Sequence, residues 1–111
     1  TMILTSIEYL EERKDDFGEW KAKAFSDYIC DLFLMENDGD FKIDKEVRVK
    51  DRGDGRPGKV DLVITDKHGK KTGIEIDRQS PRIKSIFKLK QLNVDERYVI
   101  LRSPVKIIKI K

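Results

Sequence analysis

Cysteine is almost missing from this sequence: Cys30 stands alone among 111 residues. A single thiol excludes an internal disulfide and any multi-cysteine zinc site, and it suits a reducing compartment, so a cytoplasmic setting is expected. Cys30 falls within an apolar helical pattern and reads as core. Histidine is equally scarce. The one imidazole, His68, falls in a "DKHGK" turn, the natural place for a solvated ring, so neither a Ser-His-Asp nor a Cys-His arrangement is supportable. No apolar run approaches the roughly 20 residues that cross a membrane, and the opening residues do not read as a signal peptide. "DGRPG" lacks the GK[ST] end of a phosphate-cradling P-loop. Repeats, linkers and low-complexity segments are absent too, and one domain over residues 1–111 is expected.

What the chain does have is charge. Charged residues make up 41% and hydrophobic ones 38%, yet the apolar residues recur periodically, which separates this chain from a disordered one. The net charge of +3 hides an asymmetry. From Ser80 to Lys111 nine Lys and Arg face two acids, a balance of +7, whereas the rest holds 15 basic and 19 acidic residues, a balance of −4. A basic segment beside an acidic one fits a polyanion partner handled by carboxylates and a metal; it fits equally a Lys-rich surface that keeps a small domain soluble.

Periodicity places the elements. Thr5 and Glu8 suggest a capping box before Ile7 and Leu10. Asp16 is positioned to cap a second helix with Glu19 three residues on. That helix runs through "EWKAKAFSDYICDLFLMEN", where Phe25, Ile29 and Leu32 recur at helical spacing. "NDGD" at residues 37–40 reads as a turn. "FKIDKEVRVK" alternates as a strand with an irregularity near Asp44 to Glu46. "KVDLVITD" and "KTGIEIDR" read as a hairpin about the His68 turn, with Val60, Leu62 and Ile64 on one face of the first strand. Ser80-Pro81 starts a basic helix carrying Ile83, Ile86 and Phe87. "RYVILR" and "VKIIKIK" are two further strands. The order is helix, helix, three strands, helix, two strands: an α/β domain with a mixed central sheet flanked by helices.

The chemistry concentrates in two strands. In "GIEID" the isoleucines point one way and Glu75 and Asp77 the other. Like charges on one face repel unless a cation or a shared proton relieves them. With Asp61 from the preceding strand, three carboxylates are expected to converge. Hard oxygen ligands of this kind suit Mg²⁺ or Mn²⁺ rather than zinc. Such an ion activates water and neutralises charge on a phosphate.

These residues resemble the PD-(D/E)XK nuclease superfamily, the restriction-endonuclease-like fold. The likeness covers residues 16 to 102: a helix with an early acid, a strand, "PGKVDLVI" with Asp61, "GIEID" with Glu75, a helix and another strand. It implies a metal-dependent endonuclease acting on DNA, with Asp61 and Glu75 as metal ligands and Glu19 at the position where a helix acid sometimes completes the shell. The family's Lys, two residues after the Glu, is replaced here by Asp77. An acid there serves as a further ligand or as a base toward water, and in some relatives the lysine moves to the next helix. Lys84 and Lys88 are four apart on that helix, share a face and are placed to reach back. The catalytic set is thus Asp61, Glu75, Asp77 and Lys88. Arg56, Arg78, Ser80, Arg82, Lys84 and Lys88 are expected to contact DNA, and a chain this small is expected to act as a homodimer. The alternative implied by the missing strand Lys is a DNA-binding member of the same fold without catalysis.

Overall fold

A computed structural model describes residues 5–37 and 40–111. It contains α1 (Thr5–Glu12), α2 (Ala22–Asn37), β1 (Lys42–Val49), β2 (Gly58–Thr65), β3 (Lys71–Asp77), α3 (Ile83–Lys90), β4 (Glu96–Arg102) and β5 (Val105–Ile110), in the expected order. The turn expected at residues 37–40 lies partly outside the described residues. The strands form one mixed sheet in the order β1-β2-β3-β4-β5, with β3 and β4 parallel and every other pair antiparallel. α3 is the crossover that a parallel β3–β4 connection requires.

Helices cover both faces. On one, Ile7 and Leu10 of α1 and Phe25, Ile29, Cys30 and Phe33 of α2 meet Leu62, Ile64, Ile74, Ile76 and Ile100. On the other, Leu89 of α3 packs with Val49, Val60, Val99 and Leu101. Each such side chain taken from water contributes about 1.5–3 kcal/mol. β3 is buried from Thr72 to Asp77, as a central strand covered on both faces must be. Cys30 is buried, as its apolar setting implied. Among the described residues no helix is long and apolar enough to cross a membrane.

Two details depart from the sequence reading. α2 begins at Ala22, and Glu19 lies in the turn before it. The reason is Asp16, whose Oδ1 accepts the Gly18 N–H at 2.8 Å and the Ser103 hydroxyl at 2.9 Å. It closes a turn and ties it to the β4–β5 corner instead of capping α2. The second departure is in β2. Val60 packs on the α3 side while Leu62 and Ile64 pack on the opposite side, so the three do not share a face. β1 changes faces as well: Ile43 lies against the α1–α2 core and Val49 against the α3 core. Both changes occur between the pairs Lys45↔Leu62 and Val47↔Val60, the position of Glu46 and Asp61. Glu46 has φ 51°, a left-handed backbone uncommon outside glycine. The irregularity expected near Asp44 to Glu46 is therefore real, and it re-aims Asp61.

Candidate active site

Next to that switch, β2 and β3 part. Their ladder ends at Leu62↔Ile74, and carboxylates take over the backbone donors beyond it. The Asp61 N–H donates to Glu75 Oε2 at 3.3 Å, and the Ile76 N–H donates to Asp61 Oδ2 at 2.8 Å. Each acid thus satisfies an amide of the other strand, which lets the strands separate without leaving buried donors unpaired. Asp61 and Glu75 are brought side by side, as expected from the hairpin.

Lys88 joins them from α3. Its ammonium forms an ion pair with Glu75 Oε1 and donates to the Lys59 carbonyl at 2.9 Å. Glu75 is only 1% exposed. Burial, then the neighbouring Asp61 carboxylate, push its pKa up, and Lys88 offsets this only in part, leaving Glu75 at about 8. Oε1 accepts no other hydrogen bond from the described residues. Solvent reaches the pair through Asp61, which lines a cavity of about 420 Å³ with Lys23, Ser26 and Asp27 of α2 and Lys45 and Glu46 of β1. Lys45 pairs with Asp27 at 3.0 Å across this cavity. Sequence reasoning did not single out Lys23, Ser26 or Lys45, and Glu46 entered only as the end of the irregular stretch of β1; that irregularity was the one signal, and it bears on Lys45 and Glu46 alone.

Asp77 does not join the pair. Its Oδ2 accepts the Arg82 N–H at 2.9 Å, and its Oδ1 accepts Arg82 Nε at 2.8 Å and the Ser85 hydroxyl at 2.9 Å. The expected convergence of three carboxylates gives way to two groups, Asp61 with Glu75 and Asp77 at the start of α3. The physical reason is that α3 begins at Ile83, two residues past Pro81, with Arg82 as an N-cap whose own side chain caps nothing. Asp77 supplies what the helix start lacks. At the other end, Arg97 donates to the carbonyls of Leu89 at 2.8 Å and Leu92 at 2.7 Å. α3 is therefore held at both ends, which fixes where Lys88 points.

Glu19 sits elsewhere too. It lines a second cavity of about 430 Å³ with Asp16, Gly18, Trp20, Arg78 and Ser103. Among the described residues no group of three or more His, Cys, Asp or Glu side chains is arranged to hold a metal ion. Of the expected DNA contacts, Ser80, Arg82 and Lys84 are exposed along the β3–α3 connection and the first turn of α3, and Arg78 is exposed on the Glu19 side. Arg56 lies in the β1–β2 loop, where its N–H donates to Asp54 and its carbonyl accepts the Arg52 N–H at 2.8 Å. Lys84 borders the same loop, with its Cγ close to Gly53. No protein-family model matches the chain, and no curated protein matches it in sequence.

Proposed function

We propose that this protein is a metal-dependent endonuclease of the PD-(D/E)XK type that hydrolyses DNA phosphodiester bonds, with the restriction-endonuclease-like fold. One observation carries the reading: Asp61, Glu75 and Lys88, from β2, β3 and α3, meet at the point where β2 and β3 separate. The order of the three central strands, the crossover helix and the parallel fourth strand supports the fold assignment.

The residues fit a small hard cation. Asp61 and Glu75 each commit one oxygen to a backbone N–H, and the other oxygen of Glu75, buried, has only the Lys88 ammonium as its partner among the described residues. Two carboxylates suffice for Mg²⁺ or Mn²⁺, which keep several waters and take further oxygens from a phosphate. Asp61 and Glu75 would hold such a cation, which would supply the charge that activates water and offsets negative charge on the scissile phosphate. Lys88 brings a positive charge to Glu75 from the helix, in place of the strand Lys whose position Asp77 occupies, and it orients the attacking water or stabilises the phosphate. Asp77 acts as a positioning residue by fixing the start of α3. The basic α3 and the Arg56 loop grip the flanking backbone, and a homodimer presents two such sites to a duplex.

A second reading has its own support. Asp77 is committed to capping α3, Lys88 already pairs with Glu75, and among the described residues no third acidic, His or Cys side chain stands with the pair to hold a metal. These features also suit a DNA-binding member of the fold without catalysis. Cleavage of supercoiled plasmid and of branched DNA with Mg²⁺ or Mn²⁺ separates the two. The nuclease cuts, and Asp61→Asn and Glu75→Gln abolish cutting; wild-type protein that binds DNA and cuts nothing with either metal removes the enzyme reading.

A further inference from the structure

Apart from Trp20 in the turn before α2, the large apolar side chains left in solvent among the described residues fall in two settings of opposite charge. Tyr9, Leu34 and Met35 belong to α1 and α2, whose residues include six acids and one lysine. Ile83 and Phe87 belong to α3, which carries Lys84, Lys88 and Lys90 and no acid. Ile83 is 87% exposed and Phe87 is 42% exposed. Spaced by four, they stand side by side on one face of the helix. Lys84 and Lys88 form the adjacent row, and Lys88 ends at Glu75. Ser85 and Leu89 make the buried face, so packing against the sheet does not account for Ile83 or Phe87.

The charge around this pair selects what covers it. A second copy presenting the same ridge brings lysines against lysines. A polyanion is drawn to it, and to seat on Ile83 and Phe87 it must also offer apolar surface. DNA does so only where bases leave the stack, because an intact duplex hides their faces. Apolar side chains entering between unstacked bases, flanked by cations, are a general way to hold such sites. The two residues stand about 6 Å apart along the helix axis, close to the roughly 7 Å spanned by two base steps.

We infer that Ile83 and Phe87 form a wedge for unstacked bases, which makes the preferred substrate DNA with bulged, forked or otherwise unpaired positions beside the Asp61–Glu75 site. This rests on the DNA-acting reading above. α3 then does two things at once: one face delivers Lys88 to Glu75, and the next engages the distortion in the substrate.

The test compares two labelled DNAs of equal length, an intact duplex and one with a three-base bulge carrying 2-aminopurine, bound by fluorescence anisotropy in EDTA so that nothing is cut. Wild type should bind the bulged DNA at least about tenfold more tightly, the scale of one base–side-chain stack, and should change the 2-aminopurine emission. Ile83→Ala/Phe87→Ala should remove both the preference and the emission change while keeping duplex affinity within about twofold, since the phosphate contacts remain. Ile83→Ser alone, at the more exposed position, carries the same test should the double variant fold poorly. Equal wild-type affinity for both DNAs overturns the wedge and leaves the nuclease reading standing, as does a variant that weakens both equally. A wild-type dimer that becomes monomeric in the double variant, read by sedimentation, reassigns the face to self-association. Wild type that binds neither DNA removes the DNA reading itself, and the wedge with it.

Discussion

Replacing Asp77 with Asn distinguishes a residue that does chemistry from one that builds the site. Asp77 is 3% exposed and accepts three hydrogen bonds from the start of α3. The Arg82 guanidinium is 62% exposed, so its ion pair with Asp77 adds well under about 1 kcal/mol. The Arg82 N–H and the wholly buried Ser85 hydroxyl matter more. An amide places its NH₂ against one of these donors whichever way it turns, costing about 1–2 kcal/mol for the mismatch and about 1 kcal/mol for the weakened cap. The sum, roughly 2–3 kcal/mol, lowers Tm by about 10 °C in a chain of this length. Differential scanning calorimetry measures that loss. Cleavage by the same variant, assayed well below its Tm, should stay within about threefold of wild type, because Asp77 faces α3 and not the Asp61–Glu75 pair; a loss near the hundredfold typical of a removed acid or base is excluded. An unchanged Tm refutes the capping role. A folded variant that has lost cleavage refutes the assignment of Asp77 as a positioning residue.

Three further outcomes follow from the same geometry. In metal-free protein Glu75 holds its proton more tightly folded than unfolded, so its contribution to stability is complete below about pH 4.5 and declines by about 1.4 kcal/mol per pH unit as pH rises toward about 8; urea unfolding across that window should show the fall, and Glu75→Gln should flatten it. Lys88→Met keeps the aliphatic stem but removes the charge beside Glu75, and should cut cleavage at least about a hundredfold, whereas Lys84→Met, at an exposed position in the first turn of α3, should chiefly reduce the salt dependence of DNA binding. A Cβ on Gly58 would sit 2.7 Å from Arg52 Cβ and 3.1 Å from Arg52 Cα, so Gly58→Ala should lower the urea midpoint by an amount equivalent to about 1–3 kcal/mol; an unchanged midpoint shows that the loop yields freely.

What could be read from residues alone was local and periodic. The alternation in "KVDLVITD" and "GIEID" placed Asp61 and Glu75 on paired strands, and the cationic spacing of Lys84 and Lys88 marked the helix from which one reaches back. The part that escaped depends on how segments turn before they meet. Nothing in the period-two pattern of Val60, Leu62 and Ile64 announces that Glu46 adopts a left-handed backbone and that both strands change faces beside it. Asp77 looked equivalent to Glu75 because both lie on one side of β3. Its commitment to Arg82 and Ser85, five and eight residues on, depends on where the chain bends after Ser80. Glu19 looked helical because Asp16 has a capping residue's chemistry, yet the acceptor went to Gly18 and to Ser103, 87 positions away. For Asp77 and Asp16 a polar side chain of familiar type found partners set by how the chain bends and packs around it, which local spacing does not encode.

The most direct test of the central claim is Mn²⁺ binding followed by electron paramagnetic resonance, with no DNA present. If Asp61 and Glu75 form the metal site, wild type takes up Mn²⁺, Asp61→Asn loses it while remaining folded, and Asp77→Asn keeps it. Wild-type protein that binds no Mn²⁺, or binding that survives Asp61→Asn, contradicts the account.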